Sequence, residues 1–194
     1  VSYNFRGRYL VNATIRTDGS SKFAPGRRWD QSGSIGLGWV ISDEDFFTGV
    51  QGFDFLKLRG AWGLTNNSNG IPDNLYRPGI NNASSAVFGD NVFTAIRPAY
   101  IVDPNIHYEV VRGLDIGLDM RAFNRRLNAE ETYYNRTTTD ILTTLDIPND
   151  NRSFFTNLGK ITNKGIEVSL GWNDAFNRDF NYGVSVNFSH NKNI

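Results

Sequence analysis

Seven segments of this chain alternate apolar and polar side chains with a period of two. That pattern specifies β-strands with one apolar and one polar face. Val11, Ala13 and Ile15 alternate with Asn12, Thr14 and Arg16; Ile35, Leu37, Trp39 and Ile41 alternate with Ser34, Gly36, Gly38 and Val40. Leu56, Leu58, Trp62 and Leu64 oppose Lys57, Arg59, Ala61 and Gly63, and Leu114, Ile116, Leu118 and Met120 oppose Asp115, Gly117, Asp119 and Arg121. A weaker fifth segment sets Leu127, Ala129 and Tyr133 against Asn128, Glu130 and Thr132. The sixth sets Ile166, Val168, Leu170 and Trp172 against Glu167, Ser169 and Gly171. The seventh sets Phe180, Tyr182, Val184, Val186 and Phe188 against Asn181, Gly183, Ser185, Asn187 and Ser189. The 23 asparagines and 19 glycines suit turns, and the aromatic content of 13% suits strands. The chain is predicted to be all-β.

Alternation alone does not say what covers the apolar face, because strands of a soluble sandwich alternate too. Three features favour hydrocarbon. The apolar faces end in aromatics (Tyr9, Trp39, Trp62, Tyr133, Trp172, Phe180, Phe188), as an interfacial girdle does. The opposite faces carry Arg, Lys, Asp and Glu among glycines, as a hydrated lumen wall does. The segments run to about ten residues, the span of a tilted membrane strand and longer than the usual ~5–6. No apolar run reaches the ~20 residues of a membrane helix, and mean hydropathy is −0.41 because every second strand residue is polar. A net charge of +0 argues against a nucleic-acid partner, and the absence of cysteine excludes disulfides, thiolate zinc and cysteine nucleophiles.

The connections alternate in length. Residues 18–31, 66–105 and about 136–157 form long polar connections, whereas 124–126 and 173–179 are short. Residues 42–52 are of middling length and predict one helical turn capped by Ser42. Outer-membrane barrels alternate short periplasmic turns with long extracellular loops. Seven strands is an odd number that does not close a bacterial barrel. The start, Val-Ser-Tyr-Asn-Phe, reads as the interior of a strand or hairpin rather than a signal peptide. The expectation is an antiparallel transmembrane β-barrel segment within a larger barrel. A small self-standing outer-membrane barrel that anchors or adheres, and a secreted carbohydrate-binding β-sandwich, are the alternatives.

Six blocks in series then resemble a known family. They are Gly7 to Phe23 (GRYLVNATIRTDGSSKF), Gly38 to Phe47 (GWVISDEDFF), Phe55 to Gly63 (FLKLRGAWG), Tyr133 to Leu142 (YYNRTTTDIL), Asn157 to Glu167 (NLGKITNKGIE) and Asn187 to Asn193 (NFSHNKN). Their order and content resemble the barrel of SusC-like TonB-dependent outer-membrane transporters. The resemblance implies that residues 1–194 are part of the C-terminal half of a single 22-stranded barrel domain, with the plug domain absent from this stretch. It implies a multi-pass location in the outer membrane of a Gram-negative cell. It further implies active import of oligosaccharides or peptides, working with a SusD-like surface lipoprotein and with TonB, contacted through the missing N-terminal region. Glu131 departs from the family pattern: it falls on the lipid face, so it lies near the interface or strand five shifts register.

No catalytic constellation accompanies these features, so no enzyme activity, cofactor or metal is expected. His107-x-Glu109 lacks a third ligand in sequence, and Asp43, Glu44 and Asp45 read as acids in a first helical turn. Asp115 and Asp119 lie about 13 Å apart along one strand face, too far for a carboxylate pair. The glycines of residues 33–38 sit within a strand with no helix following, which is not a phosphate loop. Arg27-Arg28 and Arg125-Arg126 read as solvated turns, with lipopolysaccharide phosphates as the alternative partner. Substrate contact falls to the long 66–105 connection, where Tyr76, Phe88, Phe93 and Tyr100 stand among Asn, Ser and Gly. Aromatic rings there suit stacking on sugars or peptide side chains.

Overall fold

Strands form where the alternation predicts them, and they pair in chain order. The computed structural model describes residues 1–149, 152–177 and 179–194, with the backbone alone for residues 82–84, 86 and 95. In chain order the strands are β1 (Ser2–Phe5), β2 (Tyr9–Gly19), β3 (Trp29–Val40), β4 (Phe53–Asn67), β5 (Ile80–Phe88), β6 (Asn91–Pro98), β7 (Ile101–Val102), β8 (Glu109–Ala122), β9 (Leu127–Asp146), β10 (Ser153–Ala175) and β11 (Asn181–Asn193). Among the described residues β1-β2-β3-β4-β8-β9-β10-β11 form one antiparallel meander, β7 adds in parallel to β10, and β5-β6 form a separate hairpin.

The register sorts every long strand into the two predicted faces. One row reads Tyr9, Trp39, Leu58, Leu118, Glu131, Val168, Phe188 from β2 to β11. The next row on the other face reads Leu10, Gly38, Arg59, Gly117, Thr132, Glu167, Ser189. Because Tyr9 begins β2 whereas Phe188 stands seven residues into β11, the short turns stagger along the row. Seven residues of rise, about 23 Å, over six strand spacings, about 29 Å, give a strand tilt of about 40°. That lies inside the 35–45° of closed barrels.

Away from the short-turn rim, the apolar face has no protein packed on it among the described residues. Ile15, Leu37, Trp62, Ile116, Val184, Val186 and Phe188 are all exposed, and the buried apolar residues lie mainly in the connections. The accessible surface is 13469 Å², against about 9,300 Å² for a compact protein of this mass. No second sheet covers the first among the described residues, so the chain does not form a β-sandwich. Nor do β1 and β11 pair, as an eight-stranded barrel would need.

The polar face is laced by ions. Arg59 Nε donates to Asp119 Oδ1 at 2.9 Å and its guanidinium reaches the Thr132 hydroxyl, while Lys57 stands 3.9 Å from Asp119. Arg136 pairs with Asp115 at 3.1 Å, so the two aspartates that sequence spacing held apart each take a cation instead. Gly117 makes the Arg59 bridge feasible: a Cβ there would sit 2.5 Å from the guanidinium carbon.

Three sequence expectations are corrected, and one alternative is decided. The 66–105 connection is not a bare loop, since it holds the β5-β6 hairpin and β7. The 136–157 connection shrinks because β9 and β10 extend to Asp146 and from Ser153; its tip, Asp150 and Asn151, lies outside the described residues. Residues 42–52 hold two 3-10 turns, Ile41–Asp43 and Asp45–Phe47, with no side-chain cap from Ser42, which lies inside the first. Strand β9 keeps its register from Leu127 to Thr139 against β8, so Glu131 does point to the apolar face. It stands four residues above the short turn, about 10 Å along the barrel axis at this tilt, toward the short-turn edge.

The same rim shows how the girdle is held. Glu44, between the two 3-10 turns, accepts from the Tyr9 hydroxyl, from Trp39 Nε1 at 2.9 Å and from Arg8 at 3.2 Å. The Tyr9 hydrogen bond first, then that of Trp39, holds its carboxyl below the usual glutamate range.

Replacing Ile116, in the middle of the apolar face, by Arg is expected to cost roughly 2–4 kcal/mol. The full-length protein should then assemble poorly, read as loss of the heat-modifiable folded band in the membrane fraction. Assembly equal to the parent would show that this face does not meet lipid. Glu131→Leu should move stability the other way, by roughly 1 kcal/mol or less given its depth.

Candidate functional site

At the end of the sheet with the long connections, the chain builds the apolar core that the strands themselves lack. Phe23 from the β2-β3 connection, Ile71 and Leu75 after β4, and Ile106 and Tyr108 before β8 are each at most 3% exposed and pack together. Tyr100, Val102, Leu142 and Phe155 pack around them. The Phe23 and Tyr108 rings lie 4.3 Å apart, and the Tyr108 hydroxyl donates to the Arg28 carbonyl at 2.9 Å. Burial raises the Tyr108 phenol above its ordinary value.

Polar clamps fasten this knot to the sheet. Asn157 accepts from the His107 amide at 3.0 Å and donates to the His107 and Asp140 carbonyls. It does so at the irregularity in the β9-β10 ladder, where Asp140 takes a φ of 60°. Glu109, buried, accepts from Asn67 at 3.0 Å and from the Leu142 amide at 3.1 Å, so its carboxylate is committed to the scaffold. Asp103 accepts from the Asn105 amide at 2.8 Å and from Thr156 at 2.9 Å. The Asn105 amide is the main cause that holds the Asp103 carboxyl below the usual aspartate range.

The four aromatic residues singled out in the sequence fall into two settings. Phe88 and Phe93 meet at the tip of the β5-β6 hairpin, edge to face at 5.8 Å, and both stay exposed. On its other face the hairpin exposes Ile80, Val87, Val92 and Ile96. Tyr100 packs instead: its hydroxyl donates to the Arg77 carbonyl at 3.0 Å and its ring meets Phe155 at 5.4 Å. Tyr76 is half-buried under the Arg77 guanidinium, 5.1 Å from its ring. The knot residues were not singled out by sequence; their only signal is that Phe23, Ile71, Leu75 and Ile106 are large apolar residues outside any alternating run. Arg27 and Arg28 are engaged locally, by Asn105 at 3.1 Å and by the Phe23 carbonyl, and Arg126 pairs with Asp174 at 3.1 Å.

Asp103 gives a signed expectation for pH. Its folded value lies below the unfolded one of about 3.9, so its contribution is present above that value and is lost as pH falls through the lower folded value. Protease resistance of the loop end should be flat from pH 7 to 5 and fall only in stronger acid. Asp103→Asn should lower resistance already at pH 7. Phe23→Ala should cost about 3–5 kcal/mol of local packing, with the loop end cleaved while the strands stay protected.

The sequence and the architecture both have known counterparts. The family description "TonB dependent receptor-like, beta-barrel" matches residues 1–193. The TonB-dependent receptor SusC of Bacteroides thetaiotaomicron is 34% identical over 199 residues, covering 100% of this chain and 20% of that receptor. The solved structure of the RagAB peptide transporter superposes with a TM-score of 0.83 at 28% identity, covering 99% of this chain and 21% of that one. The RagAB peptide importer in its open-open state gives 0.86 at 27% identity, with the same coverage. The chain spans 18–20% of the length of the curated relatives it matches. With the register, faces and tilt described above, the chain belongs to the TonB-dependent receptor-like β-barrel family, and SusC is among the members it resembles.

Proposed function

We propose that this chain is wall and loop structure of an outer-membrane active importer for oligosaccharides or peptides. In this reading residues 1–194 belong to a single barrel domain whose remaining strands and plug lie elsewhere in the protein. The apolar face meets lipid, the ion-laced face lines the lumen, and the knotted end is extracellular. The observation that carries the reading is the uncovered apolar face on a sheet whose register yields a barrel tilt. The likeness to the RagAB peptide transporter supports import of peptides, and the resemblance of the sequence blocks to SusC-like transporters keeps oligosaccharides as the other substrate class.

A SusD-like surface lipoprotein is the proposed partner at the loop end, with energy delivered through TonB. An isolated two-stranded hairpin is marginal in water, and β5-β6 exposes apolar side chains on both faces. A covering partner or a bound substrate would stabilise it. Tyr76, Phe88, Phe93 and Tyr100 are proposed as substrate contacts, with Phe88 and Phe93 best presented and Tyr100 placed to support the hairpin base.

In the full-length protein, Phe88→Ala combined with Phe93→Ala should weaken uptake, or retention of the lipoprotein, about tenfold, which corresponds to loss of ~1.4 kcal/mol at an aromatic contact. The amount of folded barrel in the membrane should not change. Unaltered uptake of each glycan or peptide that the parent imports, with the lipoprotein still retained, would remove these residues from the site.

A further inference from the structure

We propose that the apolar face carries, at its loop-end margin, a site for the phosphates of an outer-leaflet lipid, built from Lys164, Lys192 and Arg112. The proposal rests on the orientation given under Proposed function. Lys164 on β10 and Lys192 on β11 are directly opposite each other in the register, and both point to the apolar face. Such a like-charge pair, with Cβ atoms about 5 Å apart, is destabilising unless an anion lies between the two ammonium groups. Among the described residues of β8 to β11, no acid on the same face answers them. On β8 to β11, up to Thr139, the carboxylates of this face among the described residues are Glu131 and Asp174. Glu131 lies four residues from Asn135, the neighbour of Lys164, and Asp174 is taken by Arg126 at 3.1 Å.

The depth is right for a headgroup. Lys164 stands eleven residues above Ala175, the short-turn end of β10. That is about 37 Å along the strand and about 28 Å along the barrel axis at a 40° tilt, just past an apolar band about 25 Å tall. On β10 the outward residues below it are Ile166, Val168, Leu170 and Trp172, and on β11 those below Lys192 are His190, Phe188, Val186 and Val184. Arg112 is exposed on the same face one row further out, and its guanidinium reaches away from the band to donate to the Thr139 hydroxyl at 3.2 Å. Lys160 extends the basic strip along β10. At the short-turn margin of this face Arg126 is answered by Asp174 at 3.1 Å, and Trp39, Ala122, Leu127 and Trp172 stand along the same margin. Acyl chains on the apolar rows, with phosphates between the two lysines and Arg112, would satisfy both halves of such a lipid by charge-assisted hydrogen bonds.

The test is native mass spectrometry of the detergent-purified full-length protein titrated with diphosphorylated lipid A, with its dephosphorylated form and inorganic phosphate as separate arms. The parent should retain the phosphorylated lipid, and Lys164→Gln with Lys192→Gln should weaken retention at least tenfold. Lys164→Arg with Lys192→Arg should restore it, which separates charge from folding. The dephosphorylated lipid should not be retained, and inorganic phosphate at millimolar concentration should not displace the phosphorylated one. Equal retention by parent and glutamine variant, or binding of inorganic phosphate alone at equal strength, would overturn the proposal. Recovery of the glutamine variant in the membrane fraction, with uptake unchanged, would show that the transporter reading stands whichever result the titration gives.

Discussion

The rest of this structure depends on where the apolar side chains of a single sheet can go. In a globular all-β protein they meet a second sheet or a helix, and burial of each is worth on the order of 1.5–3 kcal/mol. Here the rows that include Trp62, Ile116 and Val186 are open to the surroundings, and the other face cannot serve as a core because it carries Arg59, Asp119, Arg136 and Asp115. A sheet with one wet face and one uncovered apolar face is stable where hydrocarbon is the second layer. The length of the apolar stretches, the aromatic ends, the tilt and the alternation of short and long connections are consequences of that setting.

Most of the wall was legible in the sequence because the two-residue period leaves each side chain only two directions. Once Ile116 is assigned to one face, Asp115 and Gly117 must lie on the other, and no tertiary contact revises that. The pairing order followed because short turns leave antiparallel neighbours no alternative. The extension of β9 to Asp146 and β10 from Ser153 was not legible, since from the Asn135–Lys164 pair onward the residues of this face become Thr137, Thr139, Thr162 and Lys160 and the polarity contrast that marks a strand disappears. The β5-β6 hairpin escaped for the opposite reason: its two faces are both apolar, so it presents no alternation.

The candidate site was legible only in its residue types. Phe88 and Phe93 were recognisable as exposed aromatics in a polar connection, and they do meet at the hairpin tip. Tyr100 has the same sequence surroundings but packs on Phe155, a residue 55 positions later that no local pattern connects to it. The Arg59-Asp119-Thr132 bridge likewise needs the register of three strands before it can be seen. Side chains whose partners come from neighbouring strands are fixed by pairing, and the pairing lies outside any single segment.

The knot at the loop end has a bearing on the order in which such a wall is made. Phe23 and Tyr108 touch although 85 residues separate them, and Ile71 and Leu75 lie between them in the chain. Closing a segment of that length costs conformational entropy that no local contact returns. The meander β2-β3-β4-β8 reduces the span to a few neighbouring strand ends, so the knot can condense cheaply once those four strands are side by side. Loop-closure entropy therefore favours wall before crown: the knot is cheapest to order once the strands that carry it are already paired.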